Sequence, residues 1–175
     1  MNDAVAIRCR GFKICRRQVK KVLKTLRERA PWKFPAGSLS IAFVDDATTC
    51  ELHEQFLDDP SKTDVITFPG DEIFTQPERR NPGTCDAETD EGAFAGEIVV
   101  CVPQAQRASE QFGTTPADEI LLYLVHGWLH LAGLDDLADD TRRQMRAAEA
   151  EALEILRTAG AAPFTRITFP DGKVE

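Results

Sequence analysis

Only three histidines occur in the 175 residues, and two of them lie four apart in the run His126-Gly127-Trp128-Leu129-His130. On an α-helix, residues i and i+4 share a face, so two imidazoles at this spacing can hold one ion. The surrounding segment is apolar nearly all round, which predicts a buried helix. A charged imidazole is costly there, so the histidines are expected neutral, the form that binds metal. Two donors make a poor site, and a third is sought nearby. Gly133 stands where a helix ending in a left-handed turn needs a glycine. The chain can reverse there and bring Asp135 or Asp136 back towards the histidines. Two nitrogens, one carboxylate and an open fourth position make the catalytic type of zinc site, in which a bound water is acidified to near neutral pH. The residue after the first histidine is Gly127. The glutamate general base of His-Glu-x-x-His peptidases is therefore absent. A nitrogen-rich donor set makes one Zn2+ per chain the default over nickel, manganese or iron.

The metal-bearing helix is predicted from Thr115 to about Ala132. Thr115 caps it, Pro116 suits its first turn, and Asp118 follows three residues after the cap. Period-two and helical patterns place the other elements. Strands are expected at Val5–Arg10, Ser38–Val44 (half-buried), Asp64–Phe68 and Glu97–Val102. Helices are expected at Arg16–Ala30, Ala47–Leu57, Pro103–Phe112 and Asp140–Thr158, the last with Met145, Ala148, Ala152 and Ile155 inward. Residues 71–92 are acidic, rich in turn formers and without apolar periodicity, and are expected to form a mobile loop. The order predicts an α+β single domain: a mixed four-stranded sheet packed with about five helices, one of them the metal-binding central helix. The domain is expected over residues 1–159, followed by an extended tail at 160–175.

Composition narrows the function classes. No apolar run is long enough to cross a bilayer, and Met1-Asn2-Asp3-Ala4-Val5 has no secretory pattern, so a cytoplasmic protein without membrane partners is expected. Five scattered cysteines without a CxxC pair read as small, mostly buried hydrophobes in a reducing compartment. The net charge of −8 argues against a protein that coats nucleic acid over its whole surface. Between Arg8 and Lys33, however, eleven basic residues face the single acid Glu28. On charge alone this stripe is a solvated helix face, though a local basic end can still attract a polyanion.

The segment from His126 through His130, Gly133 and Asp135 to Asp136 resembles the signature His-Gly-x-Leu-His-Leu-x-Gly-x-Asp-His of the bacterial YbeY-type endoribonucleases, zinc-dependent factors of rRNA maturation. Thr63-Asp64-Val65-Ile66-Thr67-Phe68-Pro69 and Gly96-Glu97-Ile98-Val99-Val100 are similar to two further segments of that family, in order and spacing. The resemblance spans roughly Val5 to Leu156. It implies a metal site of His126, His130 and Asp136, with Asp136 in place of the family's third histidine. Asp135 is then an accessory that orients a ligand or the turn, and the attacking group is a metal-bound water.

Two further departures touch the RNA site. The family's arginine falls on Leu57 and a following lysine on Asp59, so two cations beside a scissile phosphate are replaced. Lys62, or Arg16, Arg17 and Lys20 of the basic helix, are the candidates to compensate. His53 stands where the family has an asparagine, and reads as a helix-surface residue.

The implied function is a single-strand-specific, metal-dependent endoribonuclease acting in rRNA maturation and small-subunit quality control, with RNA and the small ribosomal subunit or its proteins as partners. The alternatives are a non-catalytic ribosome- or RNA-associated factor with a structural metal, or a metallohydrolase of another substrate.

Overall fold

The computed structural model describes residues 3–59, 61–70, 93–165, 167–172 and 174. Among them are four strands, β1 (Ala4–Ile7), β2 (Ser38–Val44), β3 (Val65–Pro69) and β4 (Phe94–Cys101), and five helices, α1 (Arg16–Arg29), α2 (Asp46–Leu57), α3 (Val102–Phe112), α4 (Pro116–Leu131) and α5 (Asp139–Thr158). The expected loop at 71–92 lies outside the described residues.

The strands form one mixed sheet in the order β1-β2-β4-β3. β1 and β2 are parallel, β2 and β4 are parallel, and β3 runs antiparallel to β4. This is the α+β architecture expected. Pro69 ends β3 at the sheet's edge, where its missing N–H interrupts no ladder.

The two faces of the sheet are covered unequally. One carries Ile41, Phe43, Ile98 and Val100 into the main core with Val22, Leu23 and Leu26 of α1 and Trp128 and Leu129 of α4. The other carries Ala42, Val44, Ile66 and Val99 under Leu52 of α2 and Phe68. The pattern of β2 predicts a half-buried strand, but from Ile41 to Val44 every residue is buried, because α2 closes the second face.

α4 lies against β3 and β4, between α3 and α5. At Gly127 it approaches the sheet closely. A Cβ there would stand 2.7 Å from Ile98 Cγ2, 3.1 Å from Thr67 Cγ2 and 3.2 Å from Val65 Cγ2. The residue after the first histidine is thus a packing glycine. It lets the helix sit down on the strands and fixes the height of the histidines above them.

The described residues from 160 onwards differ from an extended tail. Ala161, Phe164, Ile167 and Phe169 are buried, and the Phe169 ring lies 5.6 Å from that of Phe12. Thr168 and Lys13 bond to each other through both backbone groups, at 2.8 and 2.9 Å. Apolar residues too few and too irregular to show a period still bury when the chain passes over an open edge of the core. On α5 the buried residues are Met145, Ala148, Ala152 and Leu156, with Ile155 half-buried rather than inward. Of the described cysteines, Cys9 and Cys101 are buried, Cys50 is intermediate and Cys15 is exposed; all four are free thiols.

Candidate metal centre

α4 begins as its sequence predicts. The Thr115 side chain accepts from the Asp118 backbone N–H at 3.1 Å, with Pro116 at the first helical position. It ends in a Schellman turn. Gly133, at φ +95°, donates from its N–H to the His130 carbonyl at 2.9 Å, and the Leu134 N–H reaches back to the Leu129 carbonyl at 3.1 Å. The turn then has two effects on the site. It leaves the Leu134 carbonyl beside His130, whose Nδ1 lies 3.0 Å away, and it carries Asp136 back over both rings. Asp135 accepts from the backbone N–H groups of Asp136 at 2.8 Å and Leu137 at 3.3 Å, so it shapes the turn.

His126, His130 and Asp136 each offer a donor atom to a common point, all within 4.8 Å of one another. His126 Nε2 and His130 Nε2 are 2.9 Å apart, and each lies 3.7 Å from an Asp136 carboxylate oxygen. A tetrahedral ion with bonds of about 2.0–2.1 Å separates its ligand atoms by roughly 3.3 Å, a length these edges bracket. The cluster is open to solvent on one side: the side chains of His126, His130 and Asp136 are 20%, 25% and 35% exposed. The histidines are therefore at the rim of the helix end rather than sealed in the core as expected.

The hydrogen bonds around the rings argue for a cation between them. His126 Nδ1 lies 2.6 Å from Glu149 Oε1 on α5, and His130 Nδ1 faces the Leu134 carbonyl. Both acceptors bind an N–H, so in their neutral forms both rings carry their hydrogen on Nδ1 and turn an Nε2 lone pair towards the other. Two lone pairs 2.9 Å apart repel unless a proton or a metal ion lies between them. Burial alone would push the His126 imidazole towards its neutral form. The hydrogen bond and charge of Glu149, with the charges of Asp64 and Asp136, outweigh this and raise its pKa. The ring that burial alone would keep neutral is thus surrounded by carboxylates, which favour a positive charge at its Nε2, whether a proton or a metal ion. This arrangement fits a divalent ion, with Glu149 orienting one ligand as carboxylates commonly do behind metal-bound histidines.

Sequence reasoning does not single out Glu149. Its only signal there is its position: a glutamate one residue after Ala148, at the edge of α5's apolar stripe.

The candidate RNA-facing cations have partners of their own or face solvent. Lys62 Nζ is 3.4 Å from Asp46 Oδ2. Asp46 is also gripped by Arg107 through two bonds of 2.8 and 2.7 Å. The Arg107 hydrogen bond, helped by Cys101 and by the Arg107 and Lys62 charges, prevails over burial and holds the Asp46 pKa down at about 2. Arg16 donates to the Val5 carbonyl at 3.0 Å, while Arg17 and Lys20 are exposed on α1. Among the described residues, no hydrogen bond or ion pair joins these cations to the triad. His53 Nδ1 lies 2.9 Å from the Ser61 carbonyl and fastens the turn after α2.

Comparison with known proteins adds an independent line. Residues 9–157 match the protein family described as Endoribonuclease YbeY. Proteins of that name from Acidothermus cellulolyticus and Leifsonia xyli are each 38% identical to this chain. The first aligns over 126 residues (70% of this chain, 73% of the relative) and the second over 119 (68% and 72%). The one from Thermobifida fusca is 35% identical over 119 residues, covering 68% of this chain and 72% of the relative. The solution structure of TM1509 from Thermotoga maritima superposes with a TM-score of 0.49 at 21% identity, over 90% of this chain and 94% of that one.

Proposed function

Because this chain belongs to the Endoribonuclease YbeY family, we propose that it is a metal-dependent endoribonuclease, cutting single-stranded RNA in the cytoplasm during rRNA maturation and small-subunit quality control. The observation that carries this reading is the convergence of His126, His130 and Asp136 on one point, with the two Nε2 atoms facing each other at 2.9 Å. Zinc is the ion that best suits two imidazoles and a carboxylate in a three-ligand site. When bound, such an ion supplies Lewis-acid stabilisation to a phosphodiester and an acidified water.

The chain's own residues do the rest. Glu149 accepts the His126 Nδ1–H and keeps its Nε2 turned to the site, and the Leu134 carbonyl does the same for His130. Asp135 fixes the turn that carries Asp136. Gly127 fixes the height of the helix over the sheet. The small ribosomal subunit, or its proteins, is the partner that this role in rRNA maturation implies.

The test is cleavage of structured rRNA by purified protein of known metal content, beside His126→Ala. Cleavage that disappears in the variant and on chelation, and returns when zinc is restored to the wild type, supports the reading. Equal cleavage by both would assign the activity to a contaminating nuclease. A second reading, a ribosome-associated factor with a structural metal, is favoured by Leu57 and Asp59, which offer no cation, and by Lys62, which is engaged with Asp46. Ribosome binding that survives in His126→Ala, without cleavage by the wild type, would select it.

A further inference from the structure

A phosphodiester approaching the triad meets an unfavourable charge. Asp136 and Glu149 carry two formal negative charges, which a divalent ion only just offsets. Phosphoryl chemistry is served by cations beside the developing charge. Leu57 and Asp59 provide none, and the charge of Lys62 is partly offset by Asp46, 3.4 Å away.

Cations are present on α5. Arg142, Arg143 and Arg146, with Asp139, line a recess of about 220 Å³ at the head of that helix. At 100° per residue, Arg142, Arg146 and Arg143 stand about 20°, 60° and 120° around the helix from Glu149, on the side away from the buried Met145 and Ala152, with Arg143 the farthest round. Arg142 and Arg146 precede Glu149 by seven and three residues, which at 1.5 Å per residue is roughly 10 and 5 Å along the axis. Arg142 also donates to the Leu137 carbonyl at 3.2 Å, one residue beyond Asp136. Arg142 is thus tied to the turn that carries Asp136. Arg142 is partly neutralised by Asp139 at 2.9 Å, an exposed pair of the kind worth little. Arg143 and Arg146 are exposed and form no ion pair among the described residues.

Resting on the endoribonuclease reading above, we infer that this recess is a phosphate subsite: Arg143 and Arg146, assisted by Arg142, hold a backbone phosphate of the RNA strand next to the one at the metal centre. Guanidinium groups match phosphate oxygens through paired N–H donors. Three of them converging on one recess beside an acidic centre recruit the anion that the centre alone repels. The site would replace, from α5, the cations absent at Leu57 and Asp59.

The experiment measures binding of an end-labelled single-stranded RNA to zinc-loaded protein by fluorescence anisotropy over a salt series, with RNA integrity checked on a gel after each titration. Arg143→Glu/Arg146→Glu is compared with wild type, with Arg143→Lys/Arg146→Lys, and with Arg157→Glu, whose arginine pairs with Glu154 nearer the other end of α5. Unchanged zinc content and melting temperature establish that the variants fold. The double reversal is expected to bind about tenfold or more weakly, with the log–log salt slope reduced by roughly 0.7 for each phosphate the protein no longer neutralises. The lysine pair should stay within about threefold of wild type, since it keeps the charge. Affinity and slope in the double reversal equal to those of Arg157→Glu would show a solvated face only and overturn the subsite. Undiminished cleavage by that variant would do the same, and would leave the nuclease reading standing. Zinc-loaded wild type that neither binds nor cuts RNA would remove both.

Discussion

At the scale of single residues, the centre depends on two imidazoles being held in the same tautomer. His126 achieves this through Glu149, a charged acceptor at 2.6 Å, and His130 through a backbone carbonyl at 3.0 Å. Only the first can be removed by substitution. Glu149→Ala should weaken metal binding by about ten- to a hundredfold, the usual cost of losing a partner behind a metal-bound histidine. Glu149→Gln should fall between, since its amide oxygen can still accept the Nδ1–H. Competition against a chromophoric chelator measures both, and equal affinity in all three proteins would deny Glu149 a positioning role. Asp136→Ala should lower the zinc retained per chain, whereas loading equal to wild type would take Asp136 out of the site. The two histidines and Asp136 are legible in the sequence because they are local: i, i+4 spacing, the turn at Gly133 and the returning carboxylate follow one another along a single short stretch of chain. Glu149 is not, because it lies on the next helix, and one glutamate at the edge of an apolar stripe carries no signature.

At the scale of elements, the site is as well placed as α4 is seated on β3 and β4. Gly127→Ala tests that seat. Alanine gains roughly 1 kcal/mol of helix propensity over glycine. Its methyl, however, would stand 2.7 Å from Ile98 Cγ2, where something must shift. Overpacking a core costs about 1–3 kcal/mol. The net expectation is destabilisation in urea melts with an unchanged slope, and a stabilised variant would show that the helix has room to move. A second junction, between α2 and α3, is the Asp46–Arg107 pair. Asp46 has its folded pKa depressed to about 2, below the usual unfolded value near 4. Its contribution is therefore present above about pH 4 and is lost as pH falls towards 2. Asp46→Asn should be less stable than wild type at neutral pH, and the gap should close across that acid window. A gap independent of pH would assign the loss to packing. Most elements are visible from apolar period and caps. What such patterns cannot reveal is which faces become covered: β2 reads as half-buried until α2 lies over Ala42 and Val44, and 160–175 reads as a tail until Phe164 and Phe169 enter the core.

At the scale of the whole molecule, the proposed metal centre is also a tie. Its ligands come from α4 and the turn after it, and Glu149 connects them to α5, whose other residues pack on α1 and α4. An ion that binds only the folded chain stabilises it by about 2.7 kcal/mol at a free concentration one hundred times its dissociation constant. For a domain of this size, each kcal/mol raises the melting temperature by roughly 2–4 °C. Zinc at that excess should therefore raise the melting temperature of the metal-free wild type by about 5–11 °C. His126→Ala should show almost none of this rise, and Glu149→Ala a smaller rise at the same zinc concentration. Calorimetry on the three proteins, with and without zinc, provides the comparison. An equal rise in His126→Ala would place the ion elsewhere on a surface rich in carboxylates, whereas a rise confined to proteins with both histidines would locate the tie between α4 and α5. The same scan on Arg143→Glu/Arg146→Glu should match wild type, because those side chains face solvent and join no elements. Folding and phosphate binding thus draw on different residues of one helix: the inner edge of α5 steadies the metal ligand, and its outer edge is free to meet the polyanion that a chain of net charge −8 would otherwise repel.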